Sequence, residues 1–183
     1  METIHALQSF ASPALDALML QLTNLGSERA YIVLLVVAYL ALDGVVGQRL
    51  ALALLAGFYL NFQLKGVFDT PRPYLLEPSV LRSEAAGLTG PGAGFPSGHA
   101  QSSLTFWGLA ACYVRRVWFW AGALALVALV SVSRLYLGVH LPVDVLGGLV
   151  IGVLVVALAL FIFRMLPNRG ALPTGLVLAL GLL

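Results

Sequence analysis

GFPSGHAQSS, residues 94–103, is the stretch from which the rest of the chain is read. A Gly/Pro segment turns there into an apolar run. Phe95-Pro96 favours an extended backbone, Ser97 stands where a helix N-cap would stand, and Gly98 leaves the backbone open to close approach. The first helical turn then offers N–H groups without intrahelical partners and carries His99. Such amides attract anions, and an imidazole beside them can hand over a proton, which suits a phosphoryl group with a leaving oxygen. The same four residues, PSGH, also read as a serine cap followed by a surface histidine, so the choice depends on what else in the chain answers them.

Two stretches answer. KGVFDTPRP, residues 65–73, ends one apolar run with Lys65 and sets Arg72 in a Pro-stiffened turn; SRLYLGVHLPVD, residues 133–144, ends another with Arg134 and supplies His140 and Asp144 around a helix-starting Pro142. Together the three stretches resemble the signature of the type 2 phosphatidic acid phosphatase superfamily. That signature is Lys, six residues, Arg-Pro; then Pro-Ser-Gly-His; then Ser-Arg, five residues, His, three residues, Asp. Every fixed position is filled in order, and the motifs with their helices cover residues 27 to 165.

Composition points to a membrane. Of 183 residues, 60% are hydrophobic and only 10% charged, against about 25% charged in soluble domains, and the mean hydropathy is +0.96. A net charge of +2 gives no reason to expect nucleic acid. The single cysteine, Cys112, lies in an apolar segment, cannot form an intrachain disulfide and reads as a buried, inert thiol. METIHALQSF does not look like a cleaved signal peptide.

The expected fold is all-α: one membrane-embedded domain over residues 1–183, a polytopic helix bundle. Residues 3–25 carry Leu15, Leu18, Met19, Leu22 and Leu25 at helical spacing, with Ser12-Pro13 as a start signal and Gly26 as a stop. They read as an amphipathic helix on the bilayer surface, or packed on the bundle, outside the chemistry either way. Five long apolar spans follow within a catalytic bundle at 28–168: about 28–46, 48–68, 97–114, 117–137 and 142–166. Residues 69–96 form a long loop that reads as a lid over a site. The last apolar piece, 171–183, reads as a half-helix or as a truncated sixth segment of a longer protein.

Threading these spans places Asp43, Arg49, Arg115, Arg116, Arg164 and Arg169 on one face, and Lys65, Arg72, Arg134 and most carboxylates on the other. The positive-inside rule makes the first face cytoplasmic, so the motifs look outward, to the periplasm or exterior if the membrane is a bacterial inner membrane. Polar residues gather at that outer depth: Asn61, Gln63, Gln101, Ser102, Ser103, Thr105, Ser131 and Ser133. Such residues face an interior cavity or tie helices together. Arg82, which no motif claims, reads as a snorkelling side chain, and His5 as structural. Asp69 reads as an ion-pair partner of the motif cations, and Gly138 as a turn residue.

A phosphate ester resists attack until its oxygens are neutralised and a nucleophile is aimed in line with the leaving group. Lys65, Arg72 and Arg134 supply positive charge, the arginines as bidentate forks; N–H groups near Ser97, Gly98 and His99, and the Ser97 hydroxyl, add donors. The resemblance assigns Lys65, Arg72, Ser97, Gly98 and Arg134 to phosphate binding, His140 to nucleophilic attack giving a phosphohistidine, and His99 to protonating the leaving oxygen. Asp144, one helical turn after His140, can hold one ring nitrogen as N–H; which nitrogen attacks stays open at this level. No Cys/His cluster or carboxylate pair suggests a metal, and no cofactor is expected.

The resemblance therefore implies an integral membrane phosphatase acting without metal on a lipid phosphate or diphosphate of the undecaprenyl diphosphate, phosphatidylglycerol phosphate or phosphatidic acid type. Its partners are that lipid and the bilayer; the oligomeric state is open. Two alternatives keep the same residues: a vanadate-dependent haloperoxidase, since vanadate mimics phosphate, and a non-catalytic lipid-binding or flipping protein.

Overall fold

Helix boundaries in this chain are set by short polar residues and prolines between apolar runs. The computed structural model describes residues 1–90 and 92–165, and every helix and turn element among them is helical in type, without a strand. Pro13 divides the N-terminal run expected as one helix over 3–25. It has no N–H to give and forces Ser12 into extended backbone (φ −150°, ψ 158°), so α1 (Glu2–Gln8) and α2 (Pro13–Leu25) are separate helices. Ser12 caps α2 by accepting from the Leu15 N–H at 3.2 Å.

Ser27 caps α3 (Glu28–Val37), which widens into a π turn at Ala38–Leu42. Asp43 then ends the first apolar segment, short of the expected residue 46. Its carboxylate accepts from Val45 and Val46 N–H at 2.8 and 2.9 Å, satisfying two donors that a helix start leaves orphaned. The second long helix, α4 (Gly44–Phe68), therefore begins four residues before the expected 48, and it closes at Asp69 in the left-handed region (φ 39°). The loop expected over 69–96 is itself folded, with α5 (Pro73–Leu76), a 3-10 turn at Pro78–Val80, and α6 (Glu84–Leu88).

Ser97 starts a helical run made of α7 (Gly98–Ser103), a π turn at Leu104–Gly108 and α8 (Leu109–Val114), which stops at left-handed Arg115 (φ 56°). α9 (Val117–Tyr136) and α10 (Pro142–Met165) follow, joined by a tight turn in which Gly138 takes φ 72°. A side chain there would be strained and would drive into the Val80 carbonyl.

Three helical stretches among the described residues are long and apolar enough to cross a membrane: Gly44–Leu76, whose regular part is α4, then α9 and α10. At 1.5 Å per residue these three helices rise about 37, 30 and 36 Å, against a hydrocarbon core of about 30 Å. The segments at 28–42 and 98–114 rise only about 22 and 25 Å on the same arithmetic, so of the five long spans expected, three are of bilayer length among the described residues. The apolar piece at 171–183 lies outside the described residues.

Packing between helices that lipid could equally well solvate depends on close approach and polar ties. α10 lies directly on α7: a Cβ on Gly148 would collide with the Ser97 carbonyl, and one on Gly152 would stand 3.0 Å from the Gln101 carbonyl. Asn61 donates to Gln101 Oε1 at 2.7 Å, Gln101 donates to the Gly57 carbonyl at 2.7 Å, and Tyr31 donates to Ser103 Oγ at 2.8 Å. These polar residues on α3, α4 and α7 thus serve as helix-to-helix ties that hold the start of α7 in register.

The α1–α2 hairpin covers the end of α9 and the folded loop. Gln8 donates to both the Val80 and Tyr136 carbonyls at 2.7 Å. Arg82 is not a snorkelling anchor: it forks onto Asp16 at 2.9 and 2.8 Å, and the Tyr136 hydroxyl donates to the same carboxylate at 2.6 Å. Those bonds, the Arg82 one foremost, hold Asp16 below the usual carboxylate range.

Candidate active site

Every residue singled out from the three motifs stands at one end of the bundle. Lys65 is in the last turn of α4, Arg72 is the N-cap of α5, Arg134 is in the last turn of α9, His140 is in the α9–α10 turn, and Asp144 is the third residue of α10. The PSGH segment is fastened among them. Thr70 accepts from the Phe95 N–H at 2.7 Å through its hydroxyl and from the Gly94 N–H at 2.8 Å through its carbonyl. The Ser97 N–H donates to the Asp144 carbonyl at 2.9 Å, which ties α7 to α10, and the Phe95–Pro96 peptide is cis.

The cations converge. Arg72 donates through Nη1 to the Val139 carbonyl at 3.0 Å, through Nε to the Gly92 carbonyl at 2.8 Å and through Nη2 to the Ala93 carbonyl at 3.3 Å. Lys65 donates to the Ala93 carbonyl, and to that of Gly94 at 3.5 Å. Above them lies Gly90: a Cβ there would stand 3.0 Å from Arg72 Nη2 and 3.2 Å from Arg134 Nη2. Two guanidiniums therefore point at one place, and any larger residue at position 90 would fill it. Both are almost wholly out of solvent, at 2% exposure for Arg72 and 0% for Arg134.

His140 is buried between a carboxylate and a guanidinium. Its Nδ1 is 3.4 Å from Asp144 Oδ2, and its Nε2 is 3.4 Å from Arg72 Nη1. A guanidinium can only donate, so Nε2 must present its lone pair on that side and Nδ1 must carry the hydrogen facing the carboxylate. Asp144 Oδ2 is pinned by a second donor, the Leu141 N–H at 2.8 Å, the arrangement in which the third residue of a helix reaches back to its N-cap. Burial, then Arg134, Arg72 and Lys65, hold the His140 imidazole well below its usual range, and the same set of charges includes His99. His140 is therefore neutral at pH 7.

His99 Nε2 is buried without a partner among the described residues, and so are Arg134 Nε and Nη2. Orphaned buried polar atoms are costly and call for an explanation. Both side chains are among those whose charge bears on His140. Of the expected Ser97 donors, the N–H is taken by the Asp144 carbonyl, while the hydroxyl oxygen accepts from the Ala100 N–H at 3.5 Å as a helix cap and keeps its own hydrogen to donate. Gly98 stands against Asn61, whose Oδ1 would be 3.3 Å from an added Cβ. Asp69 is the left-handed stop of α4, and a cavity of about 630 Å³ opens beside it, lined by Phe62, Gln63, Lys65, Val67 and Ala93. The described residues bring together no group of three or more His, Cys, Asp or Glu able to hold a metal.

Sequence reasoning missed Thr23, Thr89 and Thr70. The helix expected to stay outside the chemistry touches a motif arginine: Arg134 Nη1 donates to Thr23 Oγ1 in the last turn of α2 and to Thr89 Oγ1, both at 2.7 Å. Gly26, which ends α2, packs against the His99 ring, its added Cβ standing 3.4 Å from His99 Cδ2. A lone threonine on an amphipathic helix carries no signal of such a contact.

Residues 47–170 match the family model described as the PAP2 superfamily. The chain belongs to the PAP2 superfamily. Among curated proteins it is 32% identical over 132 residues to "Putative undecaprenyl-diphosphatase YbjG" of Escherichia coli (strain K12), covering 67% of this chain and 62% of that one. It is 30% identical over 168 residues to lipid phosphate phosphatase delta of Arabidopsis thaliana, covering 85% of this chain and 40% of that one. The matched part thus spans less than two thirds of each of these PAP2 relatives. Among solved structures, the transmembrane PAP2-type phosphatidylglycerolphosphate phosphatase of Bacillus subtilis superposes with a TM-score of 0.75 at 24% identity, over 92% of this chain and 86% of that one. With its bilayer-length helices and this likeness in fold, the PAP2 chain described here is an integral membrane protein.

Proposed function

We propose that this chain is a membrane lipid phosphatase that removes a phosphoryl group from a lipid monophosphate or diphosphate. The observation that carries the reading is the cup in which the Arg72 and Arg134 guanidiniums converge, with Lys65 beside them, and Arg72 meets the lone-pair side of His140. Arg72 and Arg134, both buried, and the half-buried Lys65 beside them repel one another, an arrangement that makes sense around an anion that neutralises them. The named relatives act on, or are named for, lipid phosphates, which agrees with a cup at the head of membrane helices.

The resemblance to PAP2 phosphatases assigns the roles, and the geometry supports them. Phosphate oxygens take up the guanidinium and ammonium donors, and the His140 Nε2 lone pair attacks phosphorus. As the N–P bond forms, the bond from phosphorus to the leaving oxygen breaks, and His99, entering the step as the imidazolium that the bound anion favours, gives that oxygen a proton. Asp144 stabilises the positive charge left on the imidazole. A water then attacks phosphorus from the vacated side, His99 takes its proton, the N–P bond breaks, and inorganic phosphate and free His140 result.

The shorter helical segments at 28–42 and 98–114 complete the passage through the bilayer in this reading. By the positive-inside rule the cup opens on the non-cytoplasmic side, the periplasm of a bacterial inner membrane. The testing experiment is phosphate release from a detergent-solubilised panel of lipid mono- and diphosphates in EDTA. Turnover of at least one, lost in His140→Ala, is the expected result; no release from any of them would overturn the reading.

A further inference from the structure

Arg134 is the most enclosed cation of the cup, and its hydrogen-bond partners are neutral. Its Nη1 carries two hydrogens, and both are accepted by hydroxyls, Thr23 Oγ1 and Thr89 Oγ1, at 2.7 Å each. The Thr89 hydroxyl has one hydrogen, which goes to the Ala86 carbonyl at 2.6 Å, so its lone pair is what Arg134 meets. Thr23 is itself wholly buried. With Nη1 held on two sides the guanidinium plane cannot swing, and the edge made by Nε and Nη2, which has no partner among the described residues, is left as the fork. That Nη2 points to the same place as Arg72 Nη2, under Gly90.

From this we infer that Thr23 and Thr89 are positioning residues for the phosphate site, acting through Arg134 and making the N-terminal hairpin a working part of it. Thr23 lies outside the matched family region, residues 47–170. A carboxylate in its place would aim the guanidinium equally well but would cancel the charge the cup needs. A hydroxyl aims without neutralising. The inference rests on the phosphatase reading, because the fork matters only if an anion is to be gripped.

The test uses the whole 183-residue chain in detergent with Thr23→Val, Thr23→Ser and Thr89→Val. One readout is the dissociation constant of inorganic phosphate, taken from thermal-shift titration; the other is kcat and KM on farnesyl diphosphate and phosphatidic acid. Thr23→Val keeps the shape and loses the acceptor, so phosphate affinity and kcat/KM should fall roughly tenfold or more, the scale of one charge-assisted hydrogen bond. Thr23→Ser should recover most of that loss. A Thr23→Val protein with lowered thermal stability but unchanged phosphate affinity would show a merely structural threonine and overturn the inference. So would equal losses in the Val and Ser variants. If Thr23→Val does not fold, Thr89→Val, in the loop, carries the same comparison. Wild-type protein that binds phosphate and turns over beside an unaffected Thr23→Val would sink the inference and leave the phosphatase reading standing. Wild-type protein that does neither would sink both.

Discussion

Replacing Asp144 by asparagine separates two tasks that a carboxylate beside a histidine performs together: fixing the tautomer and stabilising positive charge. One oxygen, Oδ2, receives both the Leu141 N–H at 2.8 Å and the His140 Nδ1 side at 3.4 Å. An asparagine amide oxygen placed there serves both donors. The flipped amide would aim its NH2 at the Leu141 N–H, donor against donor, and is disfavoured. The tautomer with Nε2 free should therefore survive, and the loss should be confined to the charge. Exchanging a charge-assisted bond for a neutral one costs about 1–2 kcal/mol, or roughly 5–30-fold in kcat at 1.36 kcal/mol per decade. Asp144→Ala instead strips the Leu141 N–H of its acceptor and frees the ring, and should cost at least about 10³, towards the ~10⁴ seen where an asparagine imposes the wrong tautomer. The assay is phosphate release at saturating lipid phosphate, with thermal unfolding of each variant as a folding control. An Asn variant as damaged as the Ala variant would refute the shared-oxygen argument, and an undamaged one would remove the carboxylate from the reaction.

Three further outcomes are expected. His140 is held well below its ordinary value of about 6.5, so below that pH the unfolded chain takes up a proton that the folded chain refuses; thermal stability should fall as pH drops from 7 to 5, and less steeply in His140→Gln. Gly148→Ala should lower the melting temperature sharply or prevent folding, because its Cβ meets the Ser97 carbonyl, a backbone atom that cannot turn aside; a wild-type melting curve would mean that α10 and α7 are not packed so closely. His99→Ala should retain more activity on an aryl phosphate, whose leaving group needs little proton help, than on an alkyl phosphate; equal losses would remove His99 from the acid role.

Where residues announce their chemistry, the sequence was legible. The long apolar helices, the prolines and serines at helix starts, and the turn at Gly138 follow from local rules, and motif spacing brought Lys65, Arg72, Arg134, His140 and Asp144 to one end before any coordinates. Boundaries failed where one side chain outweighed hydropathy: Asp43 ended an apolar run and began the next helix, and Pro13 split an amphipathic one. Arg82 looked like an anchor because its partner, Asp16, is distant in sequence. The least legible feature is the link from α2 to the site, since the Thr23 contact with Arg134 is created entirely by tertiary packing. Ser97 does two jobs that its motif does not announce, its N–H tying α7 to α10 and its hydroxyl oxygen capping α7.

The account depends on His140 meeting phosphorus across a cationic cup, and covalent trapping tests this most directly. Protein mixed with a ³²P-labelled lipid diphosphate and quenched in alkali, where phosphohistidine survives, should carry label on the peptide containing residue 140. The label should vanish in His140→Ala and accumulate in His99→Ala, which is slowed in releasing it. Label on another residue, or undiminished label in His140→Ala, would contradict the account.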